Sequence, residues 1–300
     1  MKYKSIFKLC LLTTFLSVAT ISCDDWTEME IHDSQVNGFK EQNPQEYAVY
    51  TQNLRAYKAT KHAVVYARLD NAPEVSTSEK DFLRALPDSI DIVTMRNADR
   101  LSEYDREDMK LVREDYGTKV LYYIDCTAKD KLNTSITSAV ETVRAGTFDG
   151  IALGSEGSAV DVSALKPLLD ALGQTPCLLV FEGTPSLLPE AQRSLFNYFV
   201  LDISAASDEY DIETSVFYAT GYGKAAPDRL LLAVTPDGTL TDYNGVTRNA
   251  IAGAAYGALN METPLGGIAI YNISADYYDT DIIYKQTRGG IQFLNPASVH

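Results

Sequence analysis

Short apolar runs alternate with helical patterns along most of the chain. Eight runs of aliphatic and β-branched residues have the length and continuous hydrophobicity of strands buried on both faces of a parallel sheet. These predicted strands span residues 62–69, 91–96, 119–125, 148–154, 177–182, 198–203, 229–235 and 266–272. Patterns with apolar residues three and four positions apart predict helices at 78–86, 103–115, 130–145, 161–172, 187–197, 208–219, 247–260 and 280–287.

Eight consecutive β-α units in a chain of 300 residues predict an α/β fold, a single (β/α)8 TIM barrel over residues 43–300. A doubly wound open sheet is the alternative, but no glycine-rich phosphate-binding fingerprint follows the first predicted strand. The repeat shows no internal linker and no second domain.

A further amphipathic helix is predicted before the first strand. Pro44 stands at its start, and Tyr47, Tyr50, Leu54 and Tyr57 follow at helical spacing. Tyrosine is abundant in this chain, with 19 residues against a single tryptophan. The three tyrosines of this helix are predicted to lie in the core. The same is predicted of four tyrosines within strands, Tyr66, Tyr122, Tyr123 and Tyr198.

The first 22 residues have the organisation of a lipoprotein signal peptide. Three early lysines precede an apolar run over residues 9–21, which is too short to span a bilayer comfortably. The run ends in a small residue, Ser22, directly before Cys23. This ending resembles the lipobox of bacterial lipoproteins, in which the cysteine is lipidated and becomes the mature N-terminus. An ordinary secretory peptide is the alternative.

Acidic residues follow the predicted lipidation site at Asp24, Asp25, Glu28 and Glu30. Such a cluster resembles the surface-export signal of Bacteroidota lipoproteins. Residues 23–42 are polar and lack periodicity, which predicts a flexible tether. The resemblance implies an outer-membrane lipoprotein that is exposed on the cell surface and held to the membrane by its lipid anchor alone.

Composition excludes several other kinds of partner. The formal net charge of −15 argues against nucleic-acid binding, which needs clustered lysine and arginine. Three histidines and four cysteines, scattered along the chain, predict no metal site, and no motif indicates a cofactor. Cys126 follows the third strand and Cys177 begins the fifth, at opposite ends of the barrel, so the two are predicted to stay unpaired and buried.

The chemistry of such barrels lies at the carboxyl ends of the strands. Polar and charged residues at these positions are therefore candidates for function, although a charged residue there often only caps a strand or fixes a loop. The candidates are Arg68, Asp70, Arg96, Asn97, Asp125, Gly154, Glu156, Glu182, Asp202, Thr235, Tyr271 and Asn272. Four tyrosines could form a sugar-stacking platform there: Tyr243, Tyr271, Tyr277 and Tyr278.

The fourth predicted strand carries a partial motif, FDGIALGSEG over residues 148–157. It resembles the pattern DGxDxDxE of glycoside hydrolase family 18, the chitinases and endo-β-N-acetylglucosaminidases. Asp149 and Glu156 hold the first and last acidic positions, whereas Ala152 and Gly154 replace the two inner aspartates. The segments 53–62 and 266–278 also resemble the Bacteroidota lipoprotein branch of this family.

The resemblance implies a chemistry that the inner positions no longer support. In the family the glutamate protonates the leaving oxygen, the sugar's own acetamide attacks, and the inner aspartates orient that acetamide and balance its charge. A methyl group and a hydrogen can do neither. Glu156 would be the general acid of an active enzyme, or else a surface carboxylate. Asp149 would be a motif residue, or else a structural residue capping the turn into the strand, and Tyr271 replaces the family's tryptophan floor.

Three functions follow. The favoured hypothesis is a non-catalytic surface glycan-binding lipoprotein that captures N-acetylglucosamine-containing oligosaccharides or N-glycans beside a SusC/SusD-like outer-membrane transporter. The second is an active endo-β-N-acetylglucosaminidase or chitinase-like hydrolase that uses Glu156, paired with Glu182 or Asp202. The third is a structural or adhesin-like barrel without a glycan site. The glycan-binding candidates are Arg96, Asn97, Asp125, Glu182, Asp202, Tyr243, Tyr271, Asn272, Tyr277 and Tyr278.

Overall fold

The computed structural model describes residues 38–71, 76–155, 158, 160, 162–172 and 175–296, without the side chains of 162–164. The chain divides into two compact units, Met1–Ala48 and Val49–His300. In the described part of the first unit, helix α1 (Phe39–Gln42) occupies the end of the predicted tether. The signal peptide, Cys23 and the acidic cluster lie outside the described residues.

Eight parallel strands close into a barrel in the second unit, and this confirms the predicted (β/α)8 fold. The strands are β1 (Val64–Leu69), β2 (Ile92–Met95), β3 (Lys119–Asp125), β4 (Gly150–Gly154), β5 (Leu178–Glu182), β6 (Tyr198–Asp202), β7 (Leu230–Val234) and β10 (Gly267–Ile270). Around the barrel the order is β1, β10, β7, β6, β5, β4, β3, β2. Each lies within its predicted range.

One long helix precedes the first strand, and helices follow most of the strands. They are α2 (Pro44–Lys58), α3 (Glu103–Glu114), α4 (Leu132–Arg144), α5 (Val162–Leu172), α6 (Glu190–Arg193), α7 (Glu209–Phe217), α8 (Ala250–Asn260) and α9 (Lys285–Leu294). The Ser102 hydroxyl caps α3 by accepting a hydrogen bond from the Asp105 N–H, and the Asp105 carboxylate accepts one from the Ser102 N–H. Asp208 caps α7 in the same sense.

Two of the predicted helices are wrong. Residues 78–86 form two single 3-10 turns, because the backbone N–H of Arg84 donates to the buried Asp108 carboxylate instead of to a helical carbonyl. Residues 187–197 contain only the one-turn helix α6, since Pro189 has no N–H to continue a longer helix.

The last helix is displaced from its predicted range, 280–287, to Lys285–Leu294. The carboxylate of Asp276 fixes its start by accepting hydrogen bonds from the N–H groups of Gln286 and Thr287. The helix runs through Gly290, where any Cβ would meet the Ile251 side chain at 2.5 Å. Close packing of this helix against α8 therefore requires glycine at position 290.

A two-stranded hairpin not predicted from the sequence follows β7. Its strands are β8 (Thr239–Thr241) and β9 (Thr247–Asn249), paired antiparallel. Asp242 closes the turn by accepting hydrogen bonds from the N–H groups of Asn244 and Val246 and from the Arg248 guanidinium. The predicted helix 247–260 consequently begins only at Ala250, capped by the Asn249 side chain.

Two apolar clusters hold the barrel together. The larger fills the layer between strands and helices, and the smaller fills the barrel interior. Alternation along the strands places Tyr66, Tyr123 and Tyr271 in the interior cluster, together with small residues such as Ala152 and Ala269. Three large aromatic residues thus lie inside the barrel beneath its carboxyl-terminal face.

The predicted core position of the α2 tyrosines is wrong for Tyr50 and Tyr57, which are 43% and 37% exposed. The Tyr50 hydroxyl donates to Asp88 at 2.5 Å, and the Tyr57 ring lies 4.7 Å from the His62 ring. Both rings lie along the surface because tyrosine covers apolar atoms while its hydroxyl remains polar and hydrated.

Candidate functional site

A cavity of about 520 Å³ opens among the carboxyl ends of the strands. Its position is the usual place for chemistry in this fold. The wall combines strand-end residues with the loops after β5 and β6. It is lined by Arg68, Tyr123, Gly154, Glu182, Gly183, Thr184, Leu187, Asp202, Ser204, Ala205 and Tyr271.

Glu182 lies at the base of this cavity, and only 5% of it is exposed. The hydroxyl of Tyr66, on β1, donates to Glu182 Oε1 at 2.5 Å, and Arg68 Nη1 donates to Oε2 at 3.0 Å. The Tyr66 oxygen is itself hydrogen-bonded to Thr94. Since the tyrosine proton goes to Glu182, the threonine hydroxyl is the donor there. Burial and the nearby Glu182 charge raise the pKa of Tyr66 well above its usual value.

Arg68 covers the aromatic face that the sequence predicts as a sugar platform. Its guanidinium lies 3.6 Å from the centre of the Tyr271 ring, and Tyr271 is only 5% exposed. Burial first, and then the Glu182 charge, raise the pKa of the Tyr271 hydroxyl. A sugar ring could stack on this face only if Arg68 moved away. The buried Nε of Arg68 has no partner among the described residues.

The space beside position 154, where the resemblance expects an inner aspartate, is filled from a neighbouring strand. A Cβ on Gly154 would lie 2.0 Å from the Tyr123 hydroxyl oxygen and 2.6 Å from its Cζ. Tyr123 and Gly154 lie on the paired strands β3 and β4, and Ala152 is fully buried beneath them. No side chain fits at position 154 while Tyr123 stays in place. Glu156, the predicted general acid, lies outside the described residues.

Asp149 lies at the other end of β4, away from this cavity. Arg113 donates to both of its oxygens, at 2.8 and 3.2 Å, and the Val120 N–H donates to Oδ2 at 2.9 Å. Lys119 Nζ is 3.7 Å from Oδ1. These contacts join α3, β3 and β4 at the amino-terminal face of the barrel, which gives Asp149 a structural role.

Two further carboxylates at strand ends hold loops. Asp125 accepts hydrogen bonds from the N–H and hydroxyl of Thr127, and Asp202 accepts the same pair from Ser204. One oxygen of each aspartate is therefore engaged in a turn. Of the two, Asp202 also lines the cavity.

Some of the remaining polar candidates hold loops together, and others lie on the surface. Asn97 exchanges hydrogen bonds with Asn71 and so ties the loops after β1 and β2 together. The Arg96 guanidinium lies 4.9 Å from the Tyr123 ring centre and 3.6 Å from Asp70. Asn272 is exposed in the left-handed region, with φ 49°.

The predicted tyrosine platform separates into buried and exposed members. Tyr277 is 5% exposed, and its hydroxyl donates to Glu79. Tyr278 is 72% exposed and its hydroxyl is 2.7 Å from that of Ser78. Tyr243, in the β8–β9 hairpin, is 48% exposed. Tyr277, like Tyr271, is thus closed to a ligand in this structure, whereas Tyr243 and Tyr278 remain open.

Tyr66 and Tyr123 are predicted as core residues and are not among the predicted site residues. Both are buried, yet both belong to its polar assembly. Period-2 alternation was the available signal, since it puts residues 66 and 68 on the same side of β1. The alternation along a strand predicts on which face of the sheet a tyrosine lies, but it does not predict which group its hydroxyl contacts.

A larger cavity, of about 1010 Å³, lies at the amino-terminal face of the barrel. The polar groups in its wall serve the fold. Lys58 Nζ donates to the carbonyls of Asp88 and Ile90, and burial lowers its pKa to about 8. His62 is held between the Thr60 carbonyl and Asp91, which also accepts the Val65 N–H. These bonds close the bottom of the barrel.

Within the described ranges, no three histidine, cysteine, aspartate or glutamate side chains converge as metal ligands. No helix among the same residues has the length and hydropathy to cross a membrane. Cys126 and Cys177 are free thiols, as predicted, although both are only half-buried. Burial raises the pKa of Cys126 to about 12, which makes it a poor nucleophile.

Comparison with known proteins gives a family for part of the sequence. The family model described as "Glycoside hydrolase family 18, BT1044-like" matches residues 27–144. No curated protein matches the chain.

Solved structures share the barrel at low identity. A glutamate-to-glutamine variant of BT1044, from Bacteroides, superposes with a TM-score of 0.70 at 18% identity, over 86% of this chain and 95% of that one. An endo-β-N-acetylglucosaminidase from Cordyceps militaris gives 0.60 at 16% identity, over 83% and 96%. A family 18 chitinase from Pseudoalteromonas aurantia gives 0.56 at 13% identity, over 77% and 100%. At these identities the likeness concerns the fold. The resemblance to glycoside hydrolase family 18 is therefore confirmed, by the family model over residues 27–144 and by the (β/α)8 barrel that the chain shares with members of that family.

Proposed function

We propose that this protein binds N-acetylglucosamine-containing glycans at the carboxyl-terminal face of its barrel without hydrolysing them. The contact between Tyr123 and Gly154 carries this proposal. The tyrosine hydroxyl fills the space in which the inner aspartate of the family motif would stand, and the next inner position is the buried Ala152.

Substrate-assisted hydrolysis needs a carboxylate beside the acetamide, because positive charge develops there in the transition state. Loss of one such electrostatic contact typically costs about 3 kcal/mol, a factor of more than a hundred in rate. Here Tyr123 offers a neutral hydroxyl in its place, and burial raises the pKa of that hydroxyl, so it stays protonated. This change removes the charge and leaves a hydrogen-bonding group for a sugar.

Glu182 is a poor substitute for the missing carboxylates. Tyr66 and Arg68 engage both of its oxygens, and 5% of the residue is exposed. A general acid or base must reach the proton that it transfers. Use of Glu182 with Glu156 would require the Arg68 contact to break first, so an active hydrolase becomes an outcome of the test below.

The class of ligand follows from the wall of the cavity and from the relatives. The wall offers hydroxyls, two carboxylates and a guanidinium, which suit the hydroxyl and acetamide groups of a neutral glycan. A structure of the Cordyceps enzyme contains fucosyl-N-acetylglucosamine-asparagine. By analogy, N-glycans are the proposed source of the ligand.

The same proposal places the protein on the cell surface. Cys23 would carry the lipid anchor, and a SusC/SusD-like transporter would take up the captured glycan. Replacement of Cys23 by alanine tests the anchor: the variant should leave the membrane fraction, and its retention there would contradict lipidation.

The binding claim is tested with the full-length protein on an array of N-acetylglucosamine-containing oligosaccharides, followed by prolonged incubation with every glycan that binds. Binding with the glycan recovered intact supports the proposal. Binding of no glycan would contradict it in favour of a structural barrel, and cleavage would contradict it in favour of a hydrolase.

A further inference from the structure

Two exposed tyrosines meet at the rim of the barrel, beyond the wall of the cavity. Tyr210, in the first turn of α7, is 66% exposed, and Tyr243, in the β8–β9 hairpin, is 48% exposed. Their ring centres are 4.6 Å apart, and the rings are nearly perpendicular, at 78°. Of this pair only Tyr243 is a predicted candidate, because its partner ring comes from a different loop.

Hydrogen bonds to neighbouring carboxylates hold the pair in place, and these residues form its framework. Glu209, 8% exposed, accepts a hydrogen bond from the Tyr243 N–H at 2.6 Å, and the Tyr243 hydroxyl lies against Glu213. Asp208 accepts the Tyr210 N–H at 3.0 Å and caps the helix. Rings that are fixed before binding lose little conformational entropy when a ligand stacks on them.

The framework is continuous with the cavity. Asp202, Ser204 and Ala205 line the cavity wall. A few residues further on, Ser207 accepts a hydrogen bond from the Thr241 N–H at 3.0 Å, so this loop joins the hairpin that carries Tyr243. The tyrosine pair therefore extends the cavity wall outward along the rim.

The two aromatic rings among the described residues of the cavity wall, by contrast, are both buried, Tyr123 and Tyr271. Arg68 covers the Tyr271 ring at 3.6 Å. Near the tyrosine pair the charged groups are mainly carboxylates, and the Arg248 guanidinium of the hairpin is paired with Asp242. An acidic rim with exposed rings disfavours an anionic ligand and suits neutral sugar rings, whose hydroxyls donate to carboxylates while their apolar faces stack.

We propose that Tyr210 and Tyr243 form a second sugar-binding position, which holds a distal unit of a neutral oligosaccharide whose first unit lies in the cavity. This inference rests on the proposed glycan-binding function and adds to it the length of the ligand and the place where it stacks. The protein then selects oligosaccharides over monosaccharides, because only a chain of several units reaches both positions.

Calorimetric titration of the full-length protein tests this inference. The ligands are chitooligosaccharides and N-glycan core oligosaccharides of increasing length, beginning with the monosaccharide. Wild-type affinity should rise with length. Tyr210→Ala and Tyr243→Ala should each weaken oligosaccharide binding by about three- to tenfold, the loss expected for one stacking contact, and leave monosaccharide binding unchanged. Tyr243→Phe keeps the ring and should retain most of the affinity.

Tyr222→Ala is the matched control. Tyr222 is 64% exposed and also packs against another tyrosine, but it follows α7, at the end of that helix remote from Tyr210. Thermal unfolding verifies that each variant is folded, and Tyr210, the more exposed ring, remains informative if Tyr243→Ala does not fold. Oligosaccharide binding that both tyrosine variants leave unchanged would overturn this inference and leave the proposed function standing. Failure of the wild type to bind any glycan would overturn both.

Discussion

The Tyr123 hydroxyl occupies the space that any side chain at position 154 would need, since a Cβ there would lie 2.0 Å from its oxygen. A side chain at position 154 and the Tyr123 ring in its present position therefore exclude each other. Aspartate at position 154 could fit only if Tyr123 moved.

This relationship predicts a strong coupling between the two positions. Gly154→Ala should lower the free energy of unfolding by about 1–3 kcal/mol, because it overpacks a fully occupied region. In a Tyr123→Ala background the same change should cost much less. Urea unfolding of the four proteins of this double-mutant cycle measures the coupling.

Gly289→Ala provides the control for that cycle. Gly289 lies in α9, and a Cβ there would meet nothing within 4 Å. The change should be neutral or slightly stabilising, because alanine favours a helix more than glycine does. Equal effects of Gly154→Ala in both backgrounds would contradict the proposed filling of the site by Tyr123.

The ion pair between Arg68 and the buried Glu182 predicts that removing one partner costs more stability than removing both charges. Arg68→Met should destabilise the fold by about 3 kcal/mol, since it leaves the Glu182 carboxylate buried without its cation. Arg68→Met combined with Glu182→Gln should recover much of that loss, because no charge is then buried. The exposed pair Lys166–Asp170 is the control, and Lys166→Met should cost less than about 1 kcal/mol. A double variant no more stable than Arg68→Met alone would contradict the pairing.

A pH dependence is expected at the bottom of the barrel. The hydrogen bond to Asp91 raises the pKa of His62, although burial opposes this effect. A group whose pKa is higher in the folded state stabilises the fold fully below its unfolded value, near 6.5, and loses this contribution as pH rises through the folded value. Unfolding free energies measured from acidic to mildly alkaline pH should show this decline in the wild type. His62→Gln should remove it, and an unchanged profile would contradict the assignment.

Replacement of Asp149 should affect the stability of the fold and not the binding of the glycan. Asp149→Ala should destabilise the fold by about 2–4 kcal/mol, because it removes the carboxylate that accepts from Arg113 Nε and Nη2 and from the Val120 N–H. Glycan affinity measured below the unfolding temperature should stay unchanged. A specific loss of affinity in folded Asp149→Ala protein would instead place Asp149 in the binding site.

The barrel could be predicted from the sequence because each strand is a short, continuous apolar run with a clear end. A helix prediction is wrong where a local contact replaces a helical hydrogen bond. An example is Arg84, whose backbone N–H donates to the Asp108 carboxylate. The β8–β9 hairpin was missed because the three-residue strand Thr247–Asn249 has no apolar alternation of its own.

The site was predictable in position but not in detail. Strand ends identified Arg68, Glu182 and Tyr271, yet the sequence does not show that the first covers the third. Tyr123 and Gly154 are 31 positions apart, and only the register between β3 and β4 brings them together. The Tyr210–Tyr243 pair likewise depends on two loops that meet in space.

The central claim is that this barrel binds its glycan without cleaving it, and turnover measured beside binding tests that claim most directly. Wild-type protein and Glu156→Gln are each incubated with the tightest-binding oligosaccharide from the array, and released reducing ends are quantified by mass spectrometry. We expect both proteins to bind the glycan and neither to release product. Product released by the wild type and abolished by Glu156→Gln would contradict it.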